Sequence, residues 1–213
     1  MGWFHTPKSA VTAPTYTGLQ LQTATNTLPV PLVWGRCKLS VNVLWYDNFK
    51  TNTGGSGKGK GFLHPSTPGT TTYSADVILA LCEGEVSSIG QIWKDQSVYT
   101  LAELGLTLFD GATPQAVWSY LAAKYPDQAL AYQGTAYLAA ANYELGASGT
   151  ITNHNFEVVG PRAGSGFNGV DADPAGIIYD FLFNPQYGVG FAPSSLDGST
   201  LFGSSGDSSL QSY

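Results

Sequence analysis

From Arg36 to Trp45 the odd positions are Cys37, Leu39, Val41, Val43 and Trp45, while Arg36, Lys38, Ser40, Asn42 and Leu44 fill the even ones. Four of those five even residues are polar. Side chains on a strand alternate between its two faces, so this period of two predicts one half-buried β-strand over 37–45. A second run places Tyr73, Ala75, Val77, Leu79 and Leu81 on one side and Thr72, Ser74 and Asp76 on the other, then turns apolar on both sides at Ile78, Ala80 and Cys82. Apolar residues on both faces predict a strand whose later half is central in its sheet. Shorter candidates at 18–22, 86–93, 104–109, 134–141 and 155–159 are bounded by Gly, Pro, Asn or Asp, which completes a mostly antiparallel sheet system.

Composition agrees. The 213 residues are 43% hydrophobic and 11% charged, enough apolar material for one large core or two modest ones. With 26 Gly, 12 Pro and 13% aromatics, the chain leans toward short strands and turns. A net charge of -6 and a pI near 4.8 provide no overall positive field to hold a nucleic-acid backbone, which argues against sequence-specific DNA binding. No apolar stretch reaches the ~18–20 residues of a spanning helix, and residues 1–10 lack a signal-peptide core. Cytosol-like conditions are therefore expected, and Cys37 and Cys82, each inside an apolar strand pattern, are expected to be buried, reduced thiols.

Two helices share one start signal. Thr113-Pro114 and Asp173-Pro174 each put a capping side chain before a proline suited to the first turn, and Tyr125-Pro126 and Asn184-Pro185 provide the stops. Each helix is predicted to run about three turns. In the second, Ile177, Ile178, Phe181 and Leu182 form a stripe expected to pack against a neighbour. A third helix is expected to begin near Asp207, with Leu210 as its first apolar residue, which suggests a polypeptide continuing beyond Tyr213. The expected division is a β-rich unit over 1–170 and, from 171 to 213, the helical start of a following unit. Glycine-rich residues 52–61 offer nothing to a core and are expected to form a mobile loop.

No motif for chemistry is complete. Gly54 to Lys60 follows phosphate-loop spacing, but Gly61 stands where the magnesium-binding Ser or Thr belongs. Gly164, Gly166 and Gly169 fit dinucleotide-loop spacing without a helix opening on the last glycine. Asp171 and Asp173 open like a calcium loop, but Ala175 and Leu182 occupy later ligand positions, so helix capping is the better account of Asp173. His5, His64 and His154 are scattered, and no nucleophile elbow exists. No catalytic residue, cofactor or metal site is therefore expected. Two surface features remain: a local basic patch from Arg36, Lys38, Lys50, Lys58 and Lys60, and an aromatic platform drawn from Trp34, Trp45, Tyr46, Trp93, Trp118 and Tyr120. A solvated strand face and core packing are their commoner meanings.

Specific strings go further. Gly18-Leu-Gln-Leu-Gln-Thr23, Pro29-Val-Pro-Leu-Val-Trp-Gly-Arg36 and Asn42-Val-Leu-Trp-Tyr-Asp47 come first, then Tyr73-Ser-Ala-Asp-Val-Ile-Leu-Ala-Leu-Cys-Glu-Gly84 after a glycine tract. Ile92-Trp-Lys-Asp95, the 125–137 stretch from Tyr125-Pro-Asp, Asn153-His-Asn-Phe-Glu-Val158 and the 173–190 stretch from Asp173-Pro-Ala-Gly follow. In this order they resemble the N-terminal part of bacteriophage tail-tip hub proteins, over roughly residues 16–213. The departures, Trp34 for a tyrosine and Asp47-Asn48 for a Gly-Asp pair, keep aromatic and polar character in place.

The resemblance implies an α+β, β-rich fold, a mostly antiparallel tail-hub-type β domain with a few short helices. It also implies a homotrimeric ring at the virion tail tip, assembled in the host cytoplasm and closing the distal end of the tail tube. Distal-tail and tail-tube proteins are the implied partners, with the tape-measure protein as a further neighbour. DNA would pass without specific binding, and host-contacting domains would lie later in the polypeptide. The alternative is a β-rich glycan- or cell-surface-binding module.

Overall fold

The computed structural model describes residues 17, 29–53, 71–94, 96–151, 154–162, 164, 169 and 171–195. They form strands β1 (Arg36–Ser40), β2 (Asn42–Thr53), β3 (Thr71–Glu83), β4 (Ser88–Lys94), β5 (Ser97–Tyr99), β6 (Thr107–Phe109), β7 (Thr135–Gly146) and β8 (His154–Val159). Helices α1 (Ser119–Lys124) and α2 (Pro174–Phe183) and the short 3-10 turns Pro126–Gln128 and Pro193–Ser195 complete the set. The strands make two sheets, ordered β1-β8-β4-β5 and β2-β3-β7-β6. Every pairing between these strands is antiparallel. The expected β-rich α+β class with few short helices is therefore what the chain adopts.

One core lies between the sheets. Tyr73, Ala75, Val77, Leu79 and Leu81 of β3 and Ala136, Leu138, Ala140 and Tyr143 of β7 meet Ile92 of β4 and Phe156 and Val158 of β8. Burying a large apolar side chain of this kind contributes about 1.5–3 kcal/mol. The other face of the β2-β3-β7-β6 sheet has its own cover. Ile78, Tyr137 and Ala139 pack there against Trp118 and Leu121, with Trp45, Tyr120, Tyr125 and Tyr132 at the margin. β3 is thus buried on both faces, as its doubly apolar second half predicts.

Two expectations are corrected. The first is the single strand over 37–45, which is two strands in different sheets, separated at Val41. Cys37, Leu39, Val41 and Val43 all lean on the inter-sheet core, so the alternation continues through the corner. It ends at a bulge. Val43 pairs with Leu79, but Trp45 pairs with Ile78, leaving Leu44 as an extra residue. One extra residue turns the following side chains over, and Trp45 joins the outer cluster instead.

The second correction concerns the first helix, which begins at Ser119 instead of Pro114. The Thr113-Pro114 bond is cis. The buried Gln115 explains the rest: its Oε1 accepts from Gly111 N at 2.7 Å, and its Nε2 lies 3.0 Å from the carbonyls of both Ala131 and Tyr132. Its backbone is held as well, because Gln115 N donates to Gln133 Oε1 and Gln133 Nε2 donates to Gln115 O, at 2.7 and 2.8 Å. These bonds tie residue 115 to the 131–135 turn and take the place of helical ones. The expected stop does hold, with Tyr125 as C-cap.

Asp173 caps α2 as expected, accepting from Ala175 N at 3.2 Å and Gly176 N at 3.1 Å, and the helix ends before Asn184-Pro185. Ala175 and Gly176 are buried, and of the apolar stripe Ile177 and Leu182 are half-buried while Ile178 and Phe181 are exposed. The boundary expected at 170/171 runs beside a docked contact, since Trp34 Nε1 donates to Asp180 Oδ2 at 2.8 Å. Of the 52–61 loop, Asn52 and Thr53 are the last residues of β2, and the remainder lies outside the described residues, as do the strand at 18–22 and the helix expected at 207.

Candidate functional site

Residues 54–61 of the phosphate-loop spacing, Gly166 of the dinucleotide spacing, His5 and His64 fall outside the described residues. His154 is buried at the start of β8 beside the Tyr143 ring, 5.8 Å between centroids. Among the described residues no group of three His, Cys, Asp or Glu side chains is placed to hold a metal ion.

The described basic residues do not gather. Arg36 lies 3.8 Å from Glu157, Lys38 sits over the Trp93 ring, and Lys50 donates to Asn142 Oδ1 at 2.7 Å on the other sheet. The six aromatics are not presented as a platform either, because only Tyr46, at 39%, is exposed. Trp45 packs edge-on against Trp118 and Tyr125, Trp118 tilts over Tyr120, and Trp34 meets Tyr187 edge-on. Their faces are spent on one another.

The sequence does not single out Asp76, yet it is the centre of a polar cluster that joins β2, β3, β7 and α1. It is fully buried in β3, directly across from Asp47 of β2. Two carboxylates facing across a sheet repel, so this arrangement requires compensation. Asp76 Oδ2 accepts from Tyr120 Oη at 2.7 Å and Lys124 Nζ at 3.0 Å, and Oδ1 accepts from Asn142 N at 2.8 Å. Asp47 Oδ1 accepts from Asn48 N and, at 3.1 Å, from Tyr125 Oη.

Two irregularities make this possible. A β2 register shift between Asp47 and Lys50 and a β7 shift between Ala140 and Tyr143 both fall beside Asp76, and Asn48 and Asn142 there have φ of 54° and 52°. Asparagine tolerates that region better than most residues. Burial pushes the Asp76 carboxyl up, but hydrogen bonds from Tyr120, Asn142, Lys124 and Asn48 outweigh it and hold the pKa below the ordinary aspartate value. The Lys124 ammonium is correspondingly raised, first by Tyr120 and then by Asp76. A carboxylate held below the ordinary aspartate value with both oxygens engaged is suited to clamping α1 onto the sheet. It is ill suited to taking a proton from a substrate.

A groove of about 410 Å³ opens beside β4 and the turn after α2, lined among others by Glu85, Ser87, Thr113, Asn184, Gln186 and Tyr187. Gln186 Nε2 donates to Glu83 Oε1 at 2.8 Å and to Gly134 O at 3.0 Å, and Tyr187 Oη donates to Asp180 Oδ2 at 2.7 Å. Burial, then the bond to Asp180, raises the Tyr187 phenol, so it stays protonated and donating.

No family model matches the sequence, and comparison with curated proteins finds no match. Among solved structures the chain is similar to a chain of the "Virion of native gene transfer agent (GTA) particle". The two share 22% identity over 74% of this chain, with a TM-score of 0.47. This chain spans about a third of that chain's length, 33%.

Proposed function

We propose that the chain is a structural part of a phage tail tip, a hub ring that closes the distal end of the tail tube and links it to host-contacting domains. On this reading it assembles as a homotrimer, meets distal-tail and tail-tube proteins, lets DNA pass without gripping it and has no catalytic role of its own. The observation that carries the reading is the ordered set of sequence strings resembling tail-tip hubs. Its structural support is that these separated strings touch one another at specific side chains.

Trp34 of the Pro29–Arg36 string bonds to Asp180 of the 173–190 string, and Glu83 of the Tyr73–Gly84 string bonds to Gln186 of the same stretch. Trp45 of the Asn42–Asp47 string donates to Gln128 of the 125–137 stretch at 2.7 Å. Lys38 and Arg36, the bases on β1, are occupied by Trp93 and Glu157, which suits a conduit that must not bind a nucleic-acid backbone. The saturated Asp76 cluster supports a scaffold in preference to a catalyst.

Light scattering of the protein over a range of concentrations tests the ring. The expected result is a mass three times that of the subunit, since identical subunits about one axis form heterologous, closing interfaces. A persistent monomer or a two-fold dimer, with no trimer even in an assembled tail, would contradict it. For the glycan-binding alternative the discriminating result is sugar binding lost on Tyr46→Ala, and for an enzyme it is peptidoglycan turnover lost on His154→Ala.

A further inference from the structure

Most amphipathic helices dock through their apolar stripe; α2 leaves half of its stripe uncovered, with Ile177 and Leu182 half-buried. Its buried residues are Ala175 and Gly176, and Ile178 and Phe181 are exposed, as are Val189 and Phe191 just beyond it. Beside the edge-on contact of the Tyr187 and Trp34 rings, the contacts that seat it are polar. Asp180 Oδ2 takes two donors, Trp34 Nε1 at 2.8 Å and Tyr187 Oη at 2.7 Å. Gln186 Nε2 reaches Glu83 Oε1 and Gly134 O.

The seat itself is made of glycine. Gly84 N donates to Gly134 O at 2.7 Å, and both glycines have positive φ, 84° and 72°. A Cβ at Gly84 would stand 3.1 Å from the Tyr187 ring, and one at Gly134 would stand 2.2 Å from Gln186 Nε2. Only side-chain-free backbone lets the turn sit this close. The turn is also braced to its own helix, with Gly188 N on Asn184 O and Val189 N on Phe181 O, so helix and turn move as one body.

We infer that α2 and the turn through Gly188 form a detachable clasp, which leaves the two sheets as a unit while the inter-sheet core stays folded. Regions with little buried apolar surface open at lower free energy than a core does. The sheets bury Leu79, Leu81, Leu138 and Phe156 completely, whereas the clasp buries two small residues. Release would uncover the Gly84–Gly134 seat and remove the Asn184, Gln186 and Tyr187 wall of the groove. The inference rests on these contacts and not on the tail-tip reading.

Amide hydrogen exchange on the intact chain tests it, with β3 and β7 as internal reference. Amides over 177–189 should exchange at least tenfold faster than those of β3. Asp180→Ala, which removes both donors' partner while keeping a strong helix former, should speed the clasp a further tenfold or so and leave β3 and β7 unchanged. Gln186→Ala should act in the same direction. The inference is overturned if wild-type α2 exchanges together with β3, if the variants speed clasp and sheets equally, or if neither variant changes clasp exchange.

Discussion

The phenol of Tyr120, on α1, donates a 2.7 Å hydrogen bond to the fully buried carboxylate of Asp76 in the middle of β3. That bond, with Lys124 on the same oxygen, joins the outer cover of the β2-β3-β7-β6 sheet to its central strand by charge as well as by packing.

Asp76→Ala should lower stability by about 1–3 kcal/mol, because it removes the acceptor of the part-buried Asn142 N–H and Tyr120 hydroxyl bonds. The pH dependence follows from the direction of the shift. A carboxyl held below its unfolded value near 4 contributes stability that is complete above that value and is lost as pH falls through the lower folded value. Thermal melts between pH 6 and 2 should show this loss in the wild type and a shallower one in Asp76→Asn. Identical slopes would mean that Asp76 does not titrate as an ion pair.

Burial pushes the Cys82 thiol up to about 12, while Cys37 is only half-buried; both are free. A thiolate-selective reagent should therefore label Cys37 first under native conditions and Cys82 only on unfolding. Labelling of both at one rate in the native protein would contradict this ordering.

Asp173→Ala removes the cap of α2 and should cost about 0.5–2 kcal/mol. Calcium should leave the melting temperature of both proteins unchanged. A calcium-dependent rise that disappears in the variant would restore the metal-loop reading of Asp171 and Asp173.

Gln115→Ala should destabilise the 113–134 cover by roughly 1–3 kcal/mol, since it leaves the buried Gly111 N–H without its acceptor. Near-ultraviolet dichroism of the Trp118–Tyr120–Tyr125 group should weaken while the strand signal persists. An unchanged aromatic signal would show that Gln115 does not organise the cover.

What sequence reads well here is burial, and what it reads poorly is which sheet or partner provides it. The alternation over 37–43 is faithful because both sheets face one core, yet nothing in it marks the corner at Val41 or the bulge that turns Trp45 outward. The cap-proline rule succeeds at Asp173-Pro174, where the cap bonds form, and fails at Thr113-Pro114, where Gln115 is committed to distant backbone. Asp76 falls at a polar position of an alternating strand and looks solvent-facing. Its partners Tyr120, Lys124 and Asn142 are 44, 48 and 66 residues away, separations that no local pattern encodes.

The proposed place of this chain in a particle can be seen by imaging. Purified particles carrying the chain would be labelled with gold-conjugated antibody against a β-sandwich epitope and viewed by electron microscopy. A tail-tip hub places gold at the distal end of a tail, with three-fold averages of that end accommodating three copies of the two-sheet fold. Label on the head, along the whole tube or on no particle at all would contradict it.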